Sequence, residues 1–301
     1  MRKMNKTNTH IPDSEQELTV RKQTQFGLMA RRLAKDAVSL ICIVIILIIV
    51  IIALLAPYIA PYGYEEMDLV NTLQGPSAQH LCGTDQLGRD VFSRLIYGAR
   101  NSLLIGAVST LVSCVIGIPL GLISGYAGKT TDTVIMRICD IVQAIPDMLL
   151  AISISAALGI GLRNCIIAIA ICRIPGLARM ARASSLSVAS MEYVEAARAM
   201  DQKRPAILLK HIFPNSLSPL IVQATMMVAN SITQSAGLSF IGLGVQPPQA
   251  EWGCMLAEGR QFIRSYPHML IAPLVAILIL VLTLNLFGDG LRDALDPKMK
   301  K

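Results

Sequence analysis

Long apolar runs separated by short polar breaks dominate the chain, at the spacing of membrane spans. A helix needs about 20 apolar residues to cross roughly 30 Å of hydrocarbon, where no water can serve its backbone. Ser39 to Ala60 meets that length, Ser102 to Tyr126 gives a second span, and Thr133 to Leu158 a third, interrupted by Asp140 and Asp147. Ser216 to Ile241, which carries several Ser and Thr, and the strongly apolar Met269 to Phe287 give two more. Between them lies "NCIIAIAICRIPGLARM", Asn164 to Met180, which is short and broken by Arg173 and Pro175.

Charge decides whether that segment is a span, because Lys and Arg are retained on the cytoplasmic side. With six spans and both termini inside, 21 of the 27 Lys and Arg fall on the cytoplasmic side. Without the doubtful span, the basic residues from Arg173 to Lys210 would all lie outside. The expectation is an all-α integral membrane protein of six transmembrane helices, N-in and C-in. It divides into a cytoplasmic tail (1–38), a first transmembrane helix (39–60), an extracytoplasmic segment (61–101), a five-helix core (102–288) with a cytoplasmic loop at 183–214, and a C-terminal tail (289–301).

Composition agrees: 53% hydrophobic residues, 16% charged and a mean hydropathy of +0.55 exclude an ordinary soluble domain. The net charge of +7 comes from residues beside apolar runs, with no aromatic-interleaved basic patch. The lipid bilayer is therefore the expected partner, and nucleic acid is not. The N-terminus is too long and too charged for a cleavable signal, and reads as a disordered tail passing into a basic, partly helical lead-in near Phe26. Seven scattered cysteines form no CxxC pair, so neither a zinc site nor a disulfide framework is indicated. Cys82 and Cys254 share the outer side, where a disulfide is the alternative to two free thiols. The outer segments Pro57 to Asn101 and Gly242 to Pro267 carry Glu65, Glu66, Asp68, Asp85, Asp90, Glu251 and Glu258. That acidic character suits either a docking surface or loops that cap helix ends.

The stretch "EYVEAARAM", residues 192 to 200, is amphipathic and too short to span. In a helix Tyr193, Ala196, Ala197 and Met200 share one face, while Glu192, Glu195 and Arg198 lie mostly elsewhere. It continues through "DQKRPAILLKHIFPN", where Pro205 breaks or restarts the helix and Pro214 precedes the next span. Two short cytoplasmic helices between spans would form a rigid knob, with alanines that let a partner's backbone approach. His211 beside it has no second His or Cys at ligand spacing and reads as a solvated or interfacial residue.

"EYVEAARAM" followed by "HIFPN" resembles the cytoplasmic loop motif of ABC-importer permeases, the coupling helix that docks into a groove of the ATPase subunit. The family usually has Gly directly after the alanine-rich run, where this chain has Asp201. The segments "GTDQLGRDVFSRLIYGARNSL", "LSFIGLGVQPPQAEWGCML" and "NLFGDGLRDALDP" resemble signature segments of the second permease subunit of peptide and nickel importers. The resemblance covers almost everything from Leu40 to Pro297. It implies the six-helix architecture of a type I ABC importer permease in a bacterial cytoplasmic membrane. It also implies a homologous permease as partner, two cytoplasmic ATPase subunits that bind ATP and Mg, and an extracytoplasmic substrate-binding protein. No cofactor is expected on this chain itself. "AGKTT", Ala127 to Thr131, carries the end of a P-loop, but Ile123 stands where the pattern needs Gly and a membrane helix where it needs a strand.

Within the membrane, Gly117, Gly121 and Gly125 form a smooth stripe that lets helices approach closely, either inside this subunit or against a partner. Asp140, Gln143 and Asp147 fall on one face of the third span, at i, i+3 and i+7, and Pro146 adjoins the last. Ionisable groups at membrane depth face a cavity or a partner. Asp147 either lines a translocation path, meeting a substrate's amine or metal, or pairs with a residue of the other permease. Arg173 near the cytoplasmic end of the fourth span either snorkels to the interface or contacts a gate. The expected function is an ATP-driven importer's permease subunit, itself non-catalytic, with di- or oligopeptide as substrate and nickel or a metal chelate as the alternative. An intramembrane enzyme lacks its Ser/His, HExxH or paired-Asp pattern here, and a secondary transporter would show internal repeats and interrupted helices.

Overall fold

The computed structural model describes residues 32–295; the expected tail up to residue 31 and the final residues from 296 lie outside the described residues. Among the described residues every element is helical, apart from one isolated bridge between Thr84 and Asp90. Five helices are long and apolar enough to cross a membrane, and a bent pair makes a sixth. Residues 190–212 lie at one end of the bundle, the loop end, opposite the far end.

Helix α1 (Ala37–Leu54) begins at Asp36, whose carboxylate accepts from the backbone N–H of Ser39 at 3.0 Å. It stops at Leu55, and α2 (Ala56–Ile59) restarts with Pro57 in its first turn, where a missing N–H is harmless. The expected first span of 39–60 is thus two helices. Helix α3 (Val91–Ala127) has 37 residues and, at 1.5 Å per residue, is about 55 Å long. Its first eleven residues were expected to lie in the outer segment. They are helical because Asp90 caps the N-terminus, accepting from Ser93 N–H at 2.7 Å, and because Arg94 is neutralised inside the protein.

Arg89, Arg94, Asp85 and Glu258 close a buried ring. Asp85 Oδ2 accepts from Arg89 Nε at 2.7 Å and from Arg94 Nη1 at 2.6 Å. The second nitrogens of both arginines donate to the two oxygens of Glu258, each at 2.6 Å. Two charges of each sign cancel, so the ring ties the far-end loop, α3 and the later α10 together. Asp90 and Glu251 are buried too and cap helix N-termini, so of the two readings of these carboxylates they fit helix capping and not an acidic docking surface; only Glu65, Glu66 and Asp68 of that set are exposed.

The third span is broken. Helix α4 (Lys129–Gln143) and α5 (Asp147–Leu158) are bent by 84° at Ala144–Pro146. Pro146 has no N–H to give and disfavours the helical region at its predecessor, which weakens the ladder there, and at ψ 132° Pro146 itself leaves the helical conformation that the internal Pro175 of the next span keeps. The doubtful fourth span is α6 (Leu162–Ala189), 28 residues that run through both Arg173 and Pro175 and end nine residues beyond the expected Met180. Gly117, Gly121 and Gly125 of α3 abut it: a Cβ on Gly121 would lie 2.1 Å from the carbonyl oxygen of Ala178. The P-loop-like string is the turn between α3 and α4, at Gly128.

Helix α7 (Glu192–Ala199) follows, then α8 (Arg204–Ile207), a π turn (Leu208–Ile212) and α9 (Phe213–Phe240). The expected pair of short loop helices is therefore one short helix, because the second flows through the π turn into the fifth span. Pro205 lies in a first turn, and the π turn precedes Pro214, whose N–H is missing; Asn215 Nδ2 donates to the His211 carbonyl there at 2.6 Å. Helix α10 (Trp252–Gly259) lies across the far end, and α11 (His268–Leu295) closes the chain, carrying helix through residues 289–295 of the expected tail. Cys82 and Cys254 are free thiols; burial pushes the Cys254 thiol up to about 12, so it remains protonated at neutral pH.

Asp85→Ala leaves two buried guanidinium groups sharing one carboxylate. It is expected to destabilise the protein by about 3–5 kcal/mol, read as a lower apparent melting temperature in detergent. Glu251, which caps α10 through Cys254 N–H at 2.8 Å, supplies a pH signal. Burial pushes its carboxyl up, against the backbone N–H groups of Gly253 and Cys254 and the hydroxyls of Ser239 and Ser102. A raised folded value means support for the fold at low pH that is lost as pH rises through that value. Glu251→Gln keeps an acceptor but does not titrate, so its melting temperature should fall less steeply with rising pH than the wild type's.

Candidate functional site

Two features carry chemistry: the loop helix α7 and the polar face where the third span breaks. At α7, Val194 and Ala197 are buried at 0% and 1% exposure, three residues apart on the inward face. They join a core of Leu122, Leu177, Ala181, Val188, Ile207, Ile212 and Leu220 drawn from α3, α6 and the start of the fifth span. Tyr193, Ala196 and Met200 form a separate outward stripe, with Tyr193 41% and Met200 69% exposed. Ala197 therefore does not share the outward face, contrary to expectation. Val194, which has no place in the alanine pattern of the stretch, anchors the helix in this core.

Glu192 and Glu195 are exposed in the first turn, where the helix dipole favours carboxylates. Arg198 turns back toward the body: its guanidinium lies 5.2 Å from the ring centre of Tyr126 at the end of α3. The helix ends in a Schellman motif, in which Gln202 N–H donates to Ala197 C=O at 3.2 Å and Asp201 N–H to Arg198 C=O at 3.0 Å. This closure needs a left-handed residue, and Asp201 supplies it at φ +55°. Asp201 thus adopts the conformation for which Gly is the default, and the turn is as tight as a glycine would make it. His211 lies 3.1 Å from Gln202 Oε1, and the described residues hold no group of three or more His, Cys, Asp or Glu placed to bind a metal.

The break in the third span separates residues that the sequence put on one face. Asp140 and Gln143 end α4, whereas Asp147 opens α5 on the other arm of the 84° bend. Three carboxylates on these arms meet three arginines of α6. Asp132 takes a two-pronged contact from Arg182 Nε and Nη2, the latter at 2.6 Å, and also accepts from Ser124. Asp140 accepts from Arg179 Nη2 at 2.6 Å. Asp147 meets Arg173 Nη1 at 3.4 Å. Arg173 is thus a mid-helix residue paired inside this chain, not a residue snorkelling from a helix end. Gln234 of α9 completes the site, its Nε2 donating to the Asp147 backbone carbonyl at 3.3 Å. Arg179, Arg182, Asp132 and Gln234 did not stand out in the sequence.

Comparison with known proteins fixes the class. Residues 117–301 match the family described as binding-protein-dependent transport system inner membrane component, and residues 24–76 match the N-terminal TM domain of oligopeptide transport permease C. The chain belongs to this family of inner membrane permeases. It is 46% identical over 270 residues to the dipeptide transport system permease protein DppC of Alkalihalophilus pseudofirmus, covering 90% of this chain and 89% of that one. It is 45% identical over 273 residues to the glutathione transport system permease protein GsiD of Pectobacterium atrosepticum, covering 90% of each. An inward-facing structure of the MetNI methionine ABC transporter matches with a TM-score of 0.57 at 23% identity over 67% of this chain and 96% of that chain, a likeness of fold.

Asp201→Val places a β-branched residue in the left-handed region and should destabilise the end of α7 by about 1–2 kcal/mol. Backbone amides of α7 should then exchange with deuterium roughly tenfold faster, while Asp201→Gly exchanges no faster than wild type.

Proposed function

We propose that this chain is the non-catalytic permease subunit of an ATP-driven importer of di- or oligopeptides. It pairs with a homologous permease, is driven by two ATPase subunits that bind ATP and Mg at the loop end, and receives substrate from a binding protein at the far end. Both termini then lie on the ATPase side, in keeping with the excess of Lys and Arg there. The observation that carries this reading is the outward stripe of Tyr193, Ala196 and Met200 on a helix whose inward face is fully buried. A helix anchored so firmly yet apolar outward fits the groove of a partner, and the small Ala196 lets that partner's backbone come close.

Peptide as cargo is supported by the relatives, which are named for dipeptide, di/tripeptide and glutathione transport. Nickel, the alternative from sequence, draws no support from them. The polar face of Asp140, Gln143, Asp147 and Arg173 borders the translocation path in this reading. Charges exposed at membrane depth avoid lipid and face water or protein.

Ala196→Trp tests the docking face without touching the buried seam. In proteoliposomes holding the whole importer, binding-protein-stimulated ATP hydrolysis and peptide uptake should both fall at least tenfold, while the permease stays folded. Undiminished stimulation would remove the stripe as the docking site.

A further inference from the structure

We propose that Asp147 and Arg173 form a displaceable pair that takes the two charged ends of a zwitterionic dipeptide, Arg173 receiving the carboxylate and Asp147 the ammonium group. This rests on the peptide reading above and assigns it a site.

Three carboxylate–arginine contacts join the third span to α6, and they differ in tightness. The Asp132 contact is two-pronged and the Asp140 contact is 2.6 Å long, but the Asp147 contact is a single one of 3.4 Å. The slack pair is the one at the bend. Asp147 is 49% exposed in its side chain and Arg173 22%, so the carboxylate in particular is open to an incoming group.

The surrounding polar atoms are set up for more than this contact. Arg173 Nε is buried and has no hydrogen-bond partner among the described residues, although a guanidinium uses two parallel donors when it grips a carboxylate. Gln143 Oε1 and Gln234 Oε1 are likewise buried without a partner, and Gln234 is 92% buried as a residue by its 8% exposure. Both are acceptors of the kind a peptide N–H would satisfy. Gln143 ends α4 at the break, and Gln234 bonds the backbone of Asp147 itself.

Charge accounting favours exchange. With no cargo each member neutralises the other; with a zwitterion bound, each faces an opposite charge of the cargo, so neither state leaves a lone ion at membrane depth. An extended dipeptide spans up to about 7 Å, longer than the 3.4 Å contact, so occupancy must part the two side chains. They sit on separate helices, Asp147 at the start of α5 directly after the 84° break from α4 and Arg173 on α6, so the carboxylate is carried by the arm beyond the break.

The test uses the complete importer in proteoliposomes, with labelled dialanine uptake and binding-protein-stimulated ATP hydrolysis as readouts. Asp147→Asn combined with Arg173→Gln removes both charges and strands neither. The expected result is uptake reduced at least tenfold with ATP hydrolysis within twofold of wild type. Arg173→Lys keeps the ion pair but loses the fork, and should lower uptake at least fivefold. Wild-type uptake by either variant overturns the proposal, because a purely structural pair tolerates both changes. A wild-type importer that moves no dipeptide overturns the peptide reading first and the proposal with it.

Discussion

Three glycines decide how closely α3 and α6 approach, and much else follows from that distance. In hydrocarbon there is no solvent gain when two apolar helices meet, so association depends on close packing and on backbone approach. Gly117, Gly121 and Gly125 bring α3 against the carbonyls of Ile174, Ala178 and Arg182, where any side chain would collide. Ser113 and Ser185 reinforce the contact by donating across it to Ala170 and Leu122 carbonyls at 3.0 and 3.1 Å. The result is a two-helix spine, and both functional features are mounted on it. Val194 and Ala197 of α7 sit on Leu122 and Leu177 at its loop end, and the broken third span is clamped along its α6 side.

Ion pairs serve opposite ends in opposite ways. At the far end, Asp85, Arg89, Arg94 and Glu258 are almost fully withdrawn from water, and each charge has more than one partner. Removing one member strands another, so such a ring holds one arrangement strongly. Along α6 the pairs are partly exposed, and the contact at the break is the longest. A transporter needs both kinds: a fixed frame that receives cargo and a contact weak enough to open when cargo arrives.

The span count and the loop helix were legible in sequence because both rest on strong local signals, apolar run length and basic-residue bias. Span ends were less so. Arg94 falls within the expected extracytoplasmic segment of 61–101, yet lies in a helix because its charge is met by residues as distant as Glu258. The bend at Pro146 was visible as a proline, but reading Asp140, Gln143 and Asp147 as one face assumed that the helix continued. A subtler signal was present as well. The third and fourth spans run antiparallel, so as carboxylate numbers rise from 132 through 140 to 147, the arginine partners fall from 182 through 179 to 173. Val194 sits among alanines and charges that carry no clear inward signal, and the packing of four other helices sets which side of α7 faces inward.

The geometry also says how the two features communicate. Ala181 of α6 packs in the same core as Val194 and Ala197, and Arg173 lies two turns away on that helix, about 12 Å along its axis. A continuous helix passes a displacement over such a distance, whereas the third span is interrupted at Ala144–Pro146, and its second arm meets this region through the 3.4 Å Asp147–Arg173 contact and the bonds of Gln234 and Cys172 to the Asp147 carbonyl. In the proposed importer, motion imposed on α7 would be delivered as relative movement between Arg173 and Asp147. The weakest ion pair lies where a spine that must move together meets a span that is free to bend.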